Sequence, residues 1–166
     1  PNAAEVNCNA TNADPDLAWW RIQPITELPV FTRDTNLQAV TQGGYIPNTA
    51  VYPDLPNGQP TIEISCTGLQ NCLKVGQFGA DVPMSGLVVN SAINANIKST
   101  DSDSGGPHLI STYIGTDISG TLKKGSTNYG IDIVDSDART SSGTIVVGDS
   151  SSINMDATSL QGSELR

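Results

Sequence analysis

A chain of 166 residues with 17 acids against 8 bases and a net charge of −9 carries no basic footprint for nucleic acid, whose phosphates must be neutralised by Lys and Arg, and none for docking on anionic lipid. No apolar run approaches the roughly 18 residues of a membrane-spanning helix, and no charged-then-apolar signal opens the chain. Hydrophobic content of 37% and charged content of 15% leave the balance to Ser, Thr, Asn and Gly, which suit turns and exposed strand faces and disfavour helix interiors.

The length suits one domain with a single core. Eight of the ten prolines lie within the first 60 residues, and thirteen of the sixteen glycines follow residue 67. Proline fixes φ and cannot donate to a sheet ladder, whereas glycine supplies the positive φ of tight turns. The split predicts an extended, Pro-rich, mostly irregular arm over 1–60, packed on its own body or on a neighbouring domain. It predicts a strand-rich body over 61–166. Starting at Pro1 without Met and ending at Arg166, the chain reads as a processed product or an excised piece.

Residues 1–18 have no apolar period. Asp14-Pro15 suits an N-cap and first helical position, so one short turn there would carry Trp19 and Trp20. Residues 20–31 hold two prolines and read as extended, neither helix nor central strand. The best helix candidate is 34–42, with Asp34 as cap, Leu37 and Val40 three apart, and Gly43-Gly44 as terminator. Residues 45–60 contain four prolines and read as loop with at most one edge strand.

Beyond residue 60 the apolar period becomes two. Ile62, Ile64 and Cys66 alternate with Thr61, Glu63 and Ser65, which predicts a half-buried strand. Leu73 to Gln77 continues after a turn. Leu87–Ile97 reads as one longer strand, and Leu109–Ile114, Ile118–Leu122, Tyr129–Ile133, Ile145–Val147 and Ile153–Ala157 follow. About eight short strands between turn clusters point to an all-β fold, an antiparallel sandwich or barrel. Gly115-Thr116-Asp117-Ile118, Gly130-Ile131-Asp132-Ile133 and Gly143-Thr144-Ile145-Val146 echo one another at spacings of 15 and 13. That is uneven for a solenoid, which needs a steadier period, so a meander or Greek key is the preferred topology.

The three cysteines are Cys8, Cys66 and Cys72. A Cys66–Cys72 bridge would staple the polar turn between two strands. Cys8 is then unpaired or linked elsewhere, the alternative being a bridge from Cys8 to Cys66 or Cys72. Any bridge implies an oxidising compartment, hence a secreted or cell-surface protein. Asn9-Ala10-Thr11 is an N-glycosylation triplet.

Several segments resemble catalytic motifs and fail on chemistry. Asp103-Ser104-Gly105-Gly106-Pro107 resembles the nucleophile motif of trypsin-like serine proteases, which place their histidine base well upstream. Here the sole histidine, His108, lies downstream, so the base is missing. Asp103-Ser104-Gly105 resembles the triplet of aspartic proteases, with Ile145-Val146-Val147-Gly148 as a later apolar motif, but the preceding residues 98–102 are polar where that family buries a strand. Asp101-Ser102-Asp103-Ser104-Gly105-Gly106 resembles the start of an EF-hand loop. Thr112 stands where the bidentate glutamate belongs. A looser calcium site remains open, formed by Asp101 and Asp103 with Asp132, Asp135 or Asp137, against the simpler reading of turn carboxylates. No zinc spacing is present.

No acid–base constellation supports an enzyme. The leading expectation is an extracellular structural or assembly subunit (surface filament, pilin-like, coat or adhesive β-domain) that acts through protein–protein contacts with its own copies or sister subunits. Its warrant is the arm, whose apolar residues Val30, Phe31, Leu37, Val40, Ile46 and Val51 need cover. The alternative is a secreted carbohydrate-binding module with loop-borne aspartates, possible calcium dependence, and Trp19 and Trp20 as stacking surfaces for glycans.

Overall fold

The computed structural model describes residues 7–8, 19–31, 35–49, 57–76, 82–100, 107–134, 139–140, 146–147 and 154–155. Among them every regular element is a strand: β1 (Asn7–Cys8), β2 (Trp20–Ile22), β3 (Leu37–Gln38), β4 (Ile62–Ser65), β5 (Asn71–Gly76), β6 (Val82–Ser85), β7 (Leu87–Asn90), β8 (Ala95–Thr100), β9 (Pro107–Ile110), β10 (Tyr113–Ile114), β11 (Tyr129–Val134), β12 (Arg139–Thr140), β13 (Val146–Val147) and β14 (Asn154–Met155). No helix of the described residues is long and apolar enough to cross a membrane.

The strands form three sheets. Sheet A has the order β1-β2-β4-β7-β10-β13, sheet B β14-β11-β8-β5, and sheet C β12-β9-β6-β3. From β4 onward the chain visits A, B and C in rotation, and each strand pairs in parallel with the equivalent strand one turn away. The chain therefore winds as a three-sided parallel coil. The expected antiparallel sandwich or barrel is wrong, and with it the meander or Greek key. Among the named strands only β1 on β2 runs antiparallel.

Ile62 pairs with Leu87 and Val88 with Tyr113, so these turns take 25 residues each; Tyr113 pairs with Val146, so the next takes 33. The extra residues fall within 115–128, an excursion closed by the antiparallel Thr116–Lys123 bridge. It occupies the stretch expected to hold an Ile118–Leu122 strand. The period was hidden because equal turns are interrupted by this insertion and share no short motif.

Several element boundaries move for one reason: the chain must turn a corner between sheets. The expected Leu87–Ile97 strand is two strands, β7 and β8, parted at Ser91 (φ 65°). Leu109–Ile114 likewise parts at Ser111 (φ 47°). Both serines hold the left-handed conformation usually left to glycine or asparagine. Gly86 (φ 68°) makes the corner before β7, and there a Cβ would meet Val40 Cγ1 at 2.8 Å and Tyr45 Cε2 at 2.9 Å. Of the helix predicted over 34–42, Asp34 lies outside the described residues and 35–42 hold β3 followed by a turn instead, because Leu37 pairs with Met84 and Gln38 with Ser85 across the coil. Long-range pairing overrides a weak local helix signal.

β2, Phe31 and β3 lay out a first turn of the coil. β2 lies between β1 and β4 in sheet A, Phe31 bridges in parallel to Val75 of sheet B, and β3 edges sheet C. Pro24 and Pro29 fall in the connections, where no ladder donor is needed.

Inward side chains stack in columns. Ile64, Val89 and Ile114 line sheet A, Leu73, Ile97 and Ile131 line sheet B, and Met84 and Leu109 line sheet C, all in one buried cluster. The Cys66–Cys72 disulfide forms as expected, with a Cα–Cα distance of 5.3 Å, and closes the corner between β4 and β5 inside that cluster. Its connectivity excludes the alternative pairings of Cys8. Beside this corner runs an amide ladder: Asn128 Nδ2 donates to Asn94 Oδ1 at 2.9 Å and Asn94 Nδ2 to Asn71 Oδ1 at 3.0 Å. Glu27 completes it by accepting from the Asn71 backbone N–H at 3.1 Å and from Lys74 Nζ at 2.8 Å. Each turn thus satisfies the polar corner groups of the next.

Candidate functional site: a buried carboxylate under the roof of sheet A

Alternation along a strand sends successive side chains to opposite faces. In sheet A the register Arg21–Glu63–Val88–Tyr113 belongs to the outward face. That face is not solvated. Val88 and Tyr113 are buried with Ile118 of the excursion packed on them. Gly58 presses so close that a Cβ there would lie 2.8 Å from the Tyr113 hydroxyl oxygen. Glu63 is 0% exposed, so β4 is covered on both faces rather than half-buried as its alternation suggested.

An ionised carboxylate in such a place must be paired and hydrogen-bonded. Glu63 Oε2 accepts from Trp19 Nε1 at 3.0 Å and from Arg21 Nε at 2.8 Å. Its Oε1 accepts from Asn90 Nδ2 at 2.9 Å and from Lys124 Nζ at 3.3 Å. Four donors meet the roughly four lone-pair directions of a carboxylate. Burial by itself pushes the Glu63 acid upward, but the hydrogen bonds from Asn90 and Arg21 and the nearby Lys124 and Arg21 charges hold it below the ordinary glutamate value of 4.5. The group is an anion at neutral pH.

The donors arrive from four places: the residue before β2, β2 itself, the end of β7, and the excursion. The excursion is held rigid where it delivers Lys124. Lys124 N–H donates to Gly115 O at 2.7 Å, and Ser91 N–H donates to Lys124 O at 2.9 Å. Asp117 anchors its tip by accepting from Ser119 Oγ, the Thr121 N–H and the Leu122 N–H. Asn90 is also placed twice over, since Nδ2 donates to Thr116 O at 2.7 Å and Oδ1 accepts from Ser91 Oγ at 3.0 Å. Chemically, the cluster ties the first turn and the excursion to sheet A. It also brings a buried carboxamide and a buried carboxylate together with an amine whose side chain is 36% exposed.

Of the residues singled out in sequence, Trp19 is part of this cluster, buried and committed through its indole N–H. Trp20 is half-buried beside Ile62 in register. Asp132 is buried and paired with Lys98 Nζ at 3.1 Å. Asp101, Asp103, Asp135, Asp137 and Asn9 lie outside the described residues, and Cys8 is placed by its backbone alone, opposite Trp20. No group of three or more His, Cys, Asp or Glu side chains is gathered to hold a metal among the described residues. Glu63, Asn90 and Lys124 were missed because their separations of 27 and 61 residues are set only by winding. The available signal was that Val88 and Tyr113, both apolar, follow Glu63 at 25-residue steps, marking an outward face with a roof. No family model, curated protein or solved structure matches the chain.

Proposed function

We propose that this chain is a secreted or cell-surface structural subunit, a coil-built element of a filament, coat or adhesive layer that acts through contacts with its own copies or sister subunits. The observation that carries this reading is the distribution of exposed apolar side chains. Five of the seven large ones among the described residues, Ile22, Ile25, Val30, Val40 and Ile46, lie within 22–46, and Ile25 is 94% exposed. Single exposed apolar residues are ordinary, but these five belong to the first turn of the coil and the segment just after it, the end of the stack on which a second copy would seat. The architecture supports the same reading, since a stack of turns presents strand edges and end faces suited to addition of further strands. The buried disulfide suits an oxidising compartment.

Light scattering over a concentration series tests it. Self-association that rises with concentration and is suppressed by the double variant Ile22→Ser/Ile25→Ser, with circular dichroism unchanged, is the expected result. A wild-type chain that stays monomeric alone and with its sister subunits, at every concentration, would remove the proposal.

A further inference from the structure

We propose that Glu63, Asn90 and Lys124 form a self-processing site that joins the Lys124 amine to the Asn90 side chain as an amide. Lysine and asparagine nitrogens share one acceptor atom. Lys124 Nζ and Asn90 Nδ2 both donate to Glu63 Oε1, at 3.3 and 2.9 Å. The incoming nitrogen and the leaving nitrogen of an amide exchange are thus held on the same base. Asn90 and Glu63 are both 0% exposed, and the Lys124 side chain, 36% exposed, reaches them from the rim, so the carboxamide itself is shielded from bulk water. Thr116 O fixes the amide plane through Nδ2, and the Ser91 hydroxyl donates to Oδ1, where negative charge develops when a nucleophile adds to the carbonyl.

The step balances without an oxidant, reductant or further reactant. Glu63 Oε1 takes a proton from the Lys124 ammonium, and the freed lone pair adds to Asn90 Cγ. The carbonyl pair moves onto Oδ1 under the Ser91 hydroxyl. Glu63 passes its proton to Nδ2 and takes one from the now-bonded Nζ. Collapse of the adduct re-forms the carbonyl, breaks the Cγ–Nδ2 bond and releases ammonia, which leaves with the remaining acid proton as ammonium. An alkylammonium and a carboxamide have become a secondary amide and ammonium. Proximity supplies the rate, as in other intramolecular additions. Arg21 and Trp19 on Oε2 keep Glu63 weakly basic, so the free amine is scarce and the linkage forms slowly, after folding. The product clamps the excursion to the end of β7 with a covalent bond.

Intact mass spectrometry of the purified full chain, fresh and after prolonged incubation, reads the outcome. With the disulfide counted, the expected mass is lower than the sequence mass by one ammonia. Tryptic digestion should yield residues 75–98 joined to residues 124–139. Lys124→Arg keeps a cation on Glu63 and cannot form the amide, so it should hold the unlinked mass with an unchanged circular dichroism spectrum. Glu63→Gln should abolish or greatly slow the linkage. Recovery of the two peptides separately after incubation of the wild type would overturn the proposal. So would ammonia loss that persists in Lys124→Arg. Neither result bears on self-association, so the two proposals stand or fall separately.

Discussion

The two faces of sheet A are made by the same strands and held by different forces. The inward face stacks Ile64, Val89 and Ile114, one apolar side chain per turn. The outward face begins with Arg21 and Glu63 and continues with Val88 and Tyr113. Inside, each added turn buries apolar area, and any side chain of similar shape would serve. Outside, the roof is fixed by a carboxylate that accepts four donors of defined position. The inner face therefore gives the coil its stability, and the outer face decides which segments close over it and in what arrangement.

Removing one residue from each face separates the two forces. Glu63→Ala strands Asn90 and the Trp19 indole in a dry space and separates Arg21 and Lys124 from their anion. Arg21 and Lys124, 22% and 36% exposed, can turn to water, so the cost is that of the stranded Asn90 and Trp19 donors, about 2–4 kcal/mol in all. Ile114→Ala leaves a cavity and costs about 2–5 kcal/mol. Urea unfolding monitored by tryptophan fluorescence measures both. The distinguishing sign is that Glu63→Ala changes the environment of Trp19 in the folded baseline and Ile114→Ala does not. A cost below about 1 kcal/mol for Glu63→Ala would mean that the roof closes without its charge cluster.

A pH series sharpens the contrast. Because the folded protein holds Glu63 below the ordinary value of 4.5, its contribution is complete above that value and disappears as pH falls through the folded value. Glu27 is held low as well, by Lys74 first and the Asn71 N–H second, and it adds to the same acid loss. The wild-type melting temperature should therefore fall on acidification below about pH 4.5. Glu63→Gln should flatten part of that fall, while Ile114→Ala should shift the curve down with its slope intact. Equal slopes for wild type and Glu63→Gln would contradict an ionised, tightly held Glu63.

The smallest expected effect lies at the corner of the coil. Asn94→Ala removes the two amide bonds to Asn71 and Asn128 and should cost about 1 kcal/mol, because these groups can turn to water instead. Hydrogen exchange should rise at the Asn94 and Tyr129 amides. Unchanged exchange there would show that the backbone bonds alone set the corner.

How much was legible varied with the range of the cause. The alternation of Ile62 to Cys66, of Leu73 to Val75 and of Tyr129 to Ile133 located β4, β5 and β11, since inside and outside alternate whatever the neighbouring strand does. Cys66 and Cys72 announced their bridge through a short polar turn. Strand direction was illegible, because alternation is the same in parallel and antiparallel pairing. The corners at Ser91 and Ser111 were hidden because serine does not advertise a left-handed turn as glycine does. Leu37 and Val40 imitated a helix until Met84 claimed Leu37. Glu63 looked like the solvated side of a half-buried strand; nothing near it in the chain announces a roof.

Composition, period and loop size act over neighbouring residues, and they are enough to make this a strand-rich, acidic chain of short elements with Cys66 and Cys72 placed to close a turn. That the strands run in parallel turns, and that Glu63, Asn90 and Lys124 meet, follows from the winding of the folded chain. Those outcomes depend on the number of residues per turn, and a wound chain counts its turns through contacts that no local pattern records.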